Sequence, residues 1–185
     1  MYYTRTAAIN LYHRLDSLFY NPDAVATERL LSTFGSVSPL KEIVDPARPI
    51  SNGVRGPDLQ PSNCRLIRLQ DCDGWWINFD RCLTISEAQF HQNRRCVVKD
   101  GDVIVAIGGY IGLASLAHNV KPAVIGQHSA LLSRNPVGST DPAYLVAYLN
   151  CRIGAIQWGV TRRPLKRRPS FCRGRGVFVL VRCGI

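Results

Sequence analysis

The sequence predicts an α+β fold: helices at the N-terminal end, a twisted β-sheet core built around a Gly-Asp hairpin, and one more helix towards the C-terminal end. Three observations lead there. Helical periodicity and capping signals concentrate in residues 6–34 and 141–153, and short apolar runs separated by turn residues fill 64–134. The third is "VVKDGDVIVAIGGYIGLASLAHN", residues 97–119, which writes a charged turn, a β-branched run, a glycine pair and a second apolar run, the pattern of a hairpin inside a core.

Taken in order, Thr6 to Phe19 carries Ile9, Leu11, Tyr12, Leu15, Leu18 and Phe19 on and around one helical side. A second helix opens with Asn21 as N-cap, Pro22 in the first position and Asp23 near the positive end of the helix dipole, and Gly35 stands where a left-handed C-cap goes. Val25, Leu30, Leu31 and Phe34 give it an apolar face. Ser38-Pro39 begins a short helical turn running to Val44. Residues 45–63, "DPARPISNGVRGPDLQPSN" in the main, form a long loop, and a long loop in a compact domain is a place to look for function.

The β-rich core spans 64–134. Cys64 to Leu69 and Trp75 to Phe79 read as its first strands, and Ser86 with Gln89 makes a capping box for a short helix in "SEAQFHQ". In the hairpin, Asp100-Gly101 supplies the turn, and the unbroken run Val103–Ile107 suits a strand covered on both faces. Gly108 and Gly109 turn the chain or admit another backbone, and Ile111–Ala117 returns. Ala123–Gly126 and Ser129–Ser133 are further strands. Asp141 as N-cap with Pro142 behind it opens the last helix, whose stripe is Leu145, Val146, Leu149 and Ile153 and whose stop is Gly154. The reading is one domain over 1–161, followed by a tail.

That tail decides how the net charge of +10 is interpreted. Eight of the 23 Lys and Arg lie in residues 162–185, which contain no acid, so 15 basic residues face 13 acidic ones over residues 1–161. The body is nearly neutral, and attraction to a polyanion through bulk charge belongs to "RRPLKRRPSFCRGRGVFVLVRCGI". This segment reads as a disordered basic tail, a terminal strand, or sequence out of its proper frame. Seven cysteines without a Cys-x-x-Cys pair read as reduced thiols rather than a zinc site at Cys64, Cys72, Cys82 and Cys96. With no apolar run of bilayer length and no secretory pattern in residues 1–10, the expectation is a cytoplasmic protein with no membrane partner.

Several chemistries lack their residues. Asn135-Pro136-Val137-Gly138 and Asp141-Pro142-Ala143-Tyr144 are half-matches to the Asn/Asp-Pro-Pro-aromatic motif of adenine methyltransferases, and the second is better explained as a helix cap. There is no phosphate loop, and the glycines at 108, 109 and 112 follow a strand without leading into a helix. His13, His91, His118 and His128 are isolated from one another. A Ser-Lys self-cleaving peptidase would have to use Lys121, and no upstream serine stands in a convincing setting.

Order and spacing of these segments resemble the target recognition domain of the specificity subunit of type I restriction-modification enzymes, over most of residues 10–161. The similarity lies in "RLDSLFYNPDAVATERLLSTFG", "ISNGVRGPDLQPSNCRLIRLQDCDGWWI", "KDGDVIVAIGGYIG", and "VIGQHSALLSRN" followed by "DPAYLVAYLNCRIGAIQ". The resemblance implies sequence-specific binding of double-stranded DNA without catalysis, cofactor or metal. It implies partnership with a DNA methyltransferase subunit and a restriction (motor-nuclease) subunit, and a second recognition domain or a second copy for the other half-site. The family continues beyond Gln157 with a Gly-containing turn and a helical stretch, where this chain has its Arg-rich tail; the expectation is a truncation or frameshift after about residue 161. Phosphate contacts from Arg and base contacts from Arg, Asn and Gln then make Asn52, Arg55, Arg65, Arg68, Arg94, Arg95, Tyr110, Gln127 and His128 the candidate DNA-binding residues, with Arg65 and Arg68 on one side of the first strand. The competing readings are a non-specific nucleic-acid binder acting through its tail and the self-cleaving peptidase.

Overall fold

The computed structural model describes residues 22–33, 37–109, 111–138, 140–157 and 179–181. The expected helix over 6–19, the Asn21 cap, Gly35 and most of the tail lie outside the described residues.

Helix α1 spans Pro22–Ser32, with Asp23 in its first turn as expected, and lies beside a helix at the far end of the body. It buries Leu31 and Thr27, whereas Leu30, expected on the apolar face, is 49% exposed. Strand β1 (Val37–Pro39) runs into the short helix α2 (Leu40–Ile43), where the Ser-Pro turn was expected. The long loop keeps irregular backbone except at β2 (Ser51–Asn52). Then come β3 (Arg65–Ile67), β4 (Leu83–Thr84), α3 (Glu87–Gln92), β5 (Val103–Ala106), β6 (Ala114–Leu116), β7 (Ala123–Ile125) and β8 (Ser129–Leu132). Helices α4 (Pro142–Asn150) and α5 (Arg152–Gln157) close the body, and β9 (Val179–Val181) pairs antiparallel with β1. Part of the basic tail is thus a terminal strand, one of the three readings its sequence allowed.

Two larger sheets carry the core, one of four strands in the order β2-β8-β5-β6 and one of three in the order β4-β3-β7. Along β5, Ile104 faces a cluster formed with Leu66, Ile67, Val124, Ile125 and Leu131, while Val103 and Val105 face the opposite way into Leu40, Leu132, Leu145, Val146 and Leu149. The four-stranded sheet therefore lies between the three-stranded sheet and the pair α2 and α4. That placement explains an unbroken apolar strand where alternation marks a half-wet one: all four residues of β5 are buried.

The turn before β5 is held by one carboxylate. Asp102 is fully buried. Its Oδ1 accepts from Arg48 Nη1 at 3.1 Å and from the Arg134 amide at 2.9 Å, and its Oδ2 accepts from Arg48 Nη2 and the Lys99 amide, each at 2.8 Å. Arg48 also donates to the Val97 carbonyl at 2.8 Å, so the long loop, the hairpin turn and the end of β8 meet at this point. Gly101 adopts φ +82°, which the Asp-Gly pair foretold. The neighbouring Asp100 accepts from the Asn119 amide at 2.8 Å and braces the outside of the same turn.

Three local expectations are corrected. Trp75 to Phe79 is not a strand: single bridges join Cys72 to Ile77 and Trp76 to Leu116, because Asp73 Oδ1 draws the amides of Trp75 and Trp76 into a turn at 2.8 and 2.6 Å. The partner of β3 on that side is β4 instead. The capping box at α3 is half made, since Ser86 Oγ accepts from the Gln89 amide at 3.3 Å but the Gln89 side chain does not return. It reaches the long loop, accepting from the Asp58 amide at 2.8 Å and donating to the Gly56 carbonyl at 3.1 Å. Gly154 does not stop a helix. The chain breaks at Cys151, extended at ψ 168°, and Gly154 lies buried inside α5, where a Cβ would stand 2.2 Å from the Tyr148 carbonyl oxygen.

Removing the Asp102 carboxylate strands the Arg48 guanidinium and two amides in a buried site. Asp102→Ala is expected to cost about 3–5 kcal/mol, read as a lowered midpoint in urea unfolding; a loss under 1 kcal/mol would show that the junction is not structural. Gly154→Ala is expected to lower the same midpoint by about 1–3 kcal/mol, through overpacking of α4 on α5.

Candidate nucleic-acid interface

Strand directions gather several loops at one end of the β region. Both β2 and β5 run antiparallel to β8, and β3 runs parallel to β7. A tight turn joins β7 to β8, with the Ser129 amide donating to the Gly126 carbonyl at 3.0 Å. The C-terminal ends of β2, β3, β5 and β7 accordingly converge where β8 begins. Gln127 and His128 occupy the two central positions of this turn and are exposed.

Backbone from three other segments clamps the turn. The Gly126 amide donates to the Ile67 carbonyl at 2.8 Å, the Ile107 amide to the His128 carbonyl at 2.8 Å, the Val54 amide to the Ile125 carbonyl at 2.8 Å, and the Gly53 amide to the Ser129 carbonyl at 3.2 Å. The approach is so close that a Cβ on Gly53 would lie 2.0 Å from the Gly126 oxygen, and one on Gly108 would lie 2.9 Å from His128 Nδ1. Gly108, part of the glycine pair that stood out in the sequence, thus makes room for a side chain from the neighbouring turn. At the tip, Gln127 Nε2 stands 3.0 Å from His128 Nε2.

The other candidates divide into three groups. Asn52 and Arg55 flank the Gly53–Val54 clamp and are exposed, and the 3-10 turn Arg94–Cys96 lies along β2. Ser51 Oγ donates to the Arg95 carbonyl at 2.7 Å and Cys96 Sγ to the Asn52 carbonyl at 2.9 Å, leaving the Arg94 and Arg95 side chains exposed. These four residues and the Gln127–His128 tip are brought into one neighbourhood.

Arg65 is not, and Arg68 stands at this end with its side chain turned inward. Arg65 begins β3 at the opposite end, its amide bonded to the Pro122 carbonyl at 2.7 Å. Arg68, beyond the end of β3, folds back on buried Asp71 in a two-pronged ion pair, Nε to Oδ2 at 3.0 Å and Nη2 to Oδ1 at 2.8 Å, and also donates to the Arg81 carbonyl at 2.9 Å. The bond to Asp71 pushes the Arg68 pKa further up. Alternation along an extended chain sends positions three apart to opposite faces, so the expected common side does not follow. Tyr110 lies outside the described residues.

Sequence reasoning passed over an aromatic pair at the edge of the four-stranded sheet. Trp75 and Trp76 are 39% and 44% exposed, meet edge to face at 6.1 Å, and Trp76 lies 5.8 Å from the His118 ring. The adjacent tryptophans after an Asp-Gly turn were the available signal.

Among the described residues, no group of three or more His, Cys, Asp or Glu could hold a metal ion, and no helix is long and apolar enough to cross a membrane. Cys64, Cys72, Cys82 and Cys96 are free thiols packed into or against the core. Burial pushes the pKa values of Cys72 and Cys82 up to about 12. An open pocket is lined by Gln60 to Asn63 and Ser86 to Ala88.

No protein-family model and no curated protein matches the chain. Solved structures do. The chain is similar to the HsdS subunit from Thermoanaerobacter tengcongensis, at 18% identity and a TM-score of 0.50, over 74% of this chain and 35% of that one. The fold is that of part of an HsdS subunit. A second similar chain belongs to a type I R-M system described for its complex assembly and conformational transition, at 17% identity and a TM-score of 0.42, over 69% of this chain and 32% of the other. The present chain thus spans about a third of the length of the solved chains it matches.

The thiol environments give a direct chemical test. In the folded protein, iodoacetamide labelling mapped by mass spectrometry should mark exposed Cys151 within minutes and leave Cys72 and Cys82 unmodified until denaturant is added. Equal labelling of all three would contradict the packing described.

Proposed function

We propose that the chain recognises a short sequence in double-stranded DNA as the target-recognition part of a type I restriction-modification complex, and has no catalysis of its own. Its HsdS-like fold carries this reading. The clamped Gln127–His128 tip, flanked by Asn52 and Arg55, supports it by offering groups that discriminate base edges on a rigid mount. Arg55, Arg94 and Arg95 are free to neutralise phosphates and set register. In this reading a DNA methyltransferase subunit and a restriction (motor-nuclease) subunit dock on the chain, a second recognition domain or a second copy reads the other half-site, and the protein works in the cytoplasm with its DNA.

The charge distribution favours selective over indiscriminate binding by the body. Residues 1–161 are nearly neutral, so long-range attraction of the body to a polyanion is weak and its sequence-independent affinity is limited to the phosphates that Arg55, Arg94 and Arg95 reach. The alternative reading puts non-specific binding in the eight basic residues of the tail.

Selection from random duplexes by the chain co-purified with a methyltransferase partner separates the two. The expected outcome is enrichment of one short motif, with affinity that falls as salt rises. Replacing Arg162, Arg163, Arg167 and Arg168 by Gln, which leaves β9 intact, should weaken binding to all duplexes alike and retain the motif. Abolition of all binding by those four changes would instead favour the tail, and no enrichment by the unmodified complex would refute sequence recognition.

A further inference from the structure

Resting on the DNA-recognition reading, we propose that Gln127 discriminates adenine from guanine at one base pair of the target, and that His128 is a positioning residue fixing which edge of the Gln127 amide is presented.

The mount comes first. Gln127 and His128 stand at the centre of a turn whose backbone is bonded to Ile67, Val54, Gly53 and Ile107, so the tip has little freedom to lose on binding. An amide side chain has two donors and one acceptor carbonyl. Here one donor is engaged: Gln127 Nε2 stands 3.0 Å from His128 Nε2, and with the neutral ring carrying its hydrogen on Nδ1 that nitrogen accepts from the amide. What remains to the Gln127 amide for a base edge is one N–H and Oε1.

That pair is complementary to the major-groove edge of adenine, which presents the N7 acceptor and the N6 amino donor. Guanine presents N7 and O6, both acceptors, so Oε1 would face O6 with no hydrogen between them. An unpinned glutamine can rotate its amide and offer both N–H groups to guanine. Discrimination therefore depends on the His128 bond and not on Gln127 alone. The ring in turn depends on Gly108, where an added Cβ would lie 2.9 Å from Nδ1 and 3.4 Å from the His128 Cβ and Cγ. Asn52, the other amide among the described candidates on this face, is tied through its backbone carbonyl, and its side chain is exposed.

The experiment is a base-by-base substitution series on the selected motif, bound by the complex with its methyltransferase partner. The unmodified protein should lose roughly 5- to 150-fold in affinity when one particular adenine becomes guanine, and a large part of that when it becomes 7-deazaadenine, which lacks the N7 acceptor. Gln127→Ala should flatten that one position and leave the others as they were. His128→Ala and Gly108→Ala should raise tolerance of guanine there without weakening the adenine duplex to the same extent. His128→Gln, which restores an acceptor at similar reach, should recover the preference. A purely structural histidine would instead lower binding to every duplex together. Discrimination unchanged in Gln127→Ala, in a protein that selects a motif, overturns this proposal alone; a complex that selects no motif overturns the DNA-recognition reading and this proposal with it.

Discussion

The buried carboxylate of Asp102 is the constraint around which the rest is arranged. A charged group in a core is tolerated only when its lone pairs are taken, and four donors from three separate segments take them here. Each donor fixes something different. Arg48 ties down the start of the long loop, the Lys99 amide closes the hairpin turn, and the Arg134 amide sets where β8 ends. With β8 placed at one end by this junction and held in register with β5 along Ala130–Leu132, its other end, and so the Gln127–His128 turn, has one position. A site made of loops thereby acquires the precision of the sheet beneath it.

Arginine is used in two opposite ways in this molecule. Arg48 and Arg68 are spent inside, each gripping a buried aspartate with two prongs and a carbonyl with the remaining donors. Such groups stiffen the framework and are poor phosphate ligands, because reaching outward would strand a buried carboxylate. Arg55, Arg94 and Arg95 grip no buried aspartate and stand exposed next to β2. Counting basic residues cannot separate the two classes. The buried aspartates do, and they lie close to their arginines in space but 54 residues away in one case and three in the other.

Much of the fold was legible in the sequence. The Asp-Gly turn, the doubly covered strand Val103–Ala106, the returning strand and the Asp141-Pro142 helix start are local chemistry, and the structure has each of them. The failures share a cause. Trp75 to Phe79 has the composition of a strand, but Asp73 bonding to the next amides captures the chain first. Gln89 matches a capping box, but a partner from the long loop wins its side chain. Gly154 looks like a helix stop, and is required by a carbonyl from α4 that no local pattern reveals. In the candidate site, the residue types were readable and their grouping was not: Asn52, Arg55 and Gln127–His128 come together through β2 pairing on β8, a contact between segments nearly eighty positions apart.

A near-neutral body is a physical advantage for a reader of sequence. Strong positive charge would raise affinity for every duplex by the same factor and leave the ratio between right and wrong sites unchanged, while slowing escape from wrong ones. Specificity has to come from groups that lose more on the wrong base than they gain on the right one, and an acceptor held against an acceptor does this more effectively than a flexible cation. Rigidity is what turns that mismatch into a cost, because a mobile amide would simply rotate away from it. In the proposed reading, the four backbone bonds on the Ile125–Ser129 segment, the glycines that permit their close approach and the histidine beside the glutamine belong to one device: they remove the freedom by which the wrong base would otherwise be accommodated.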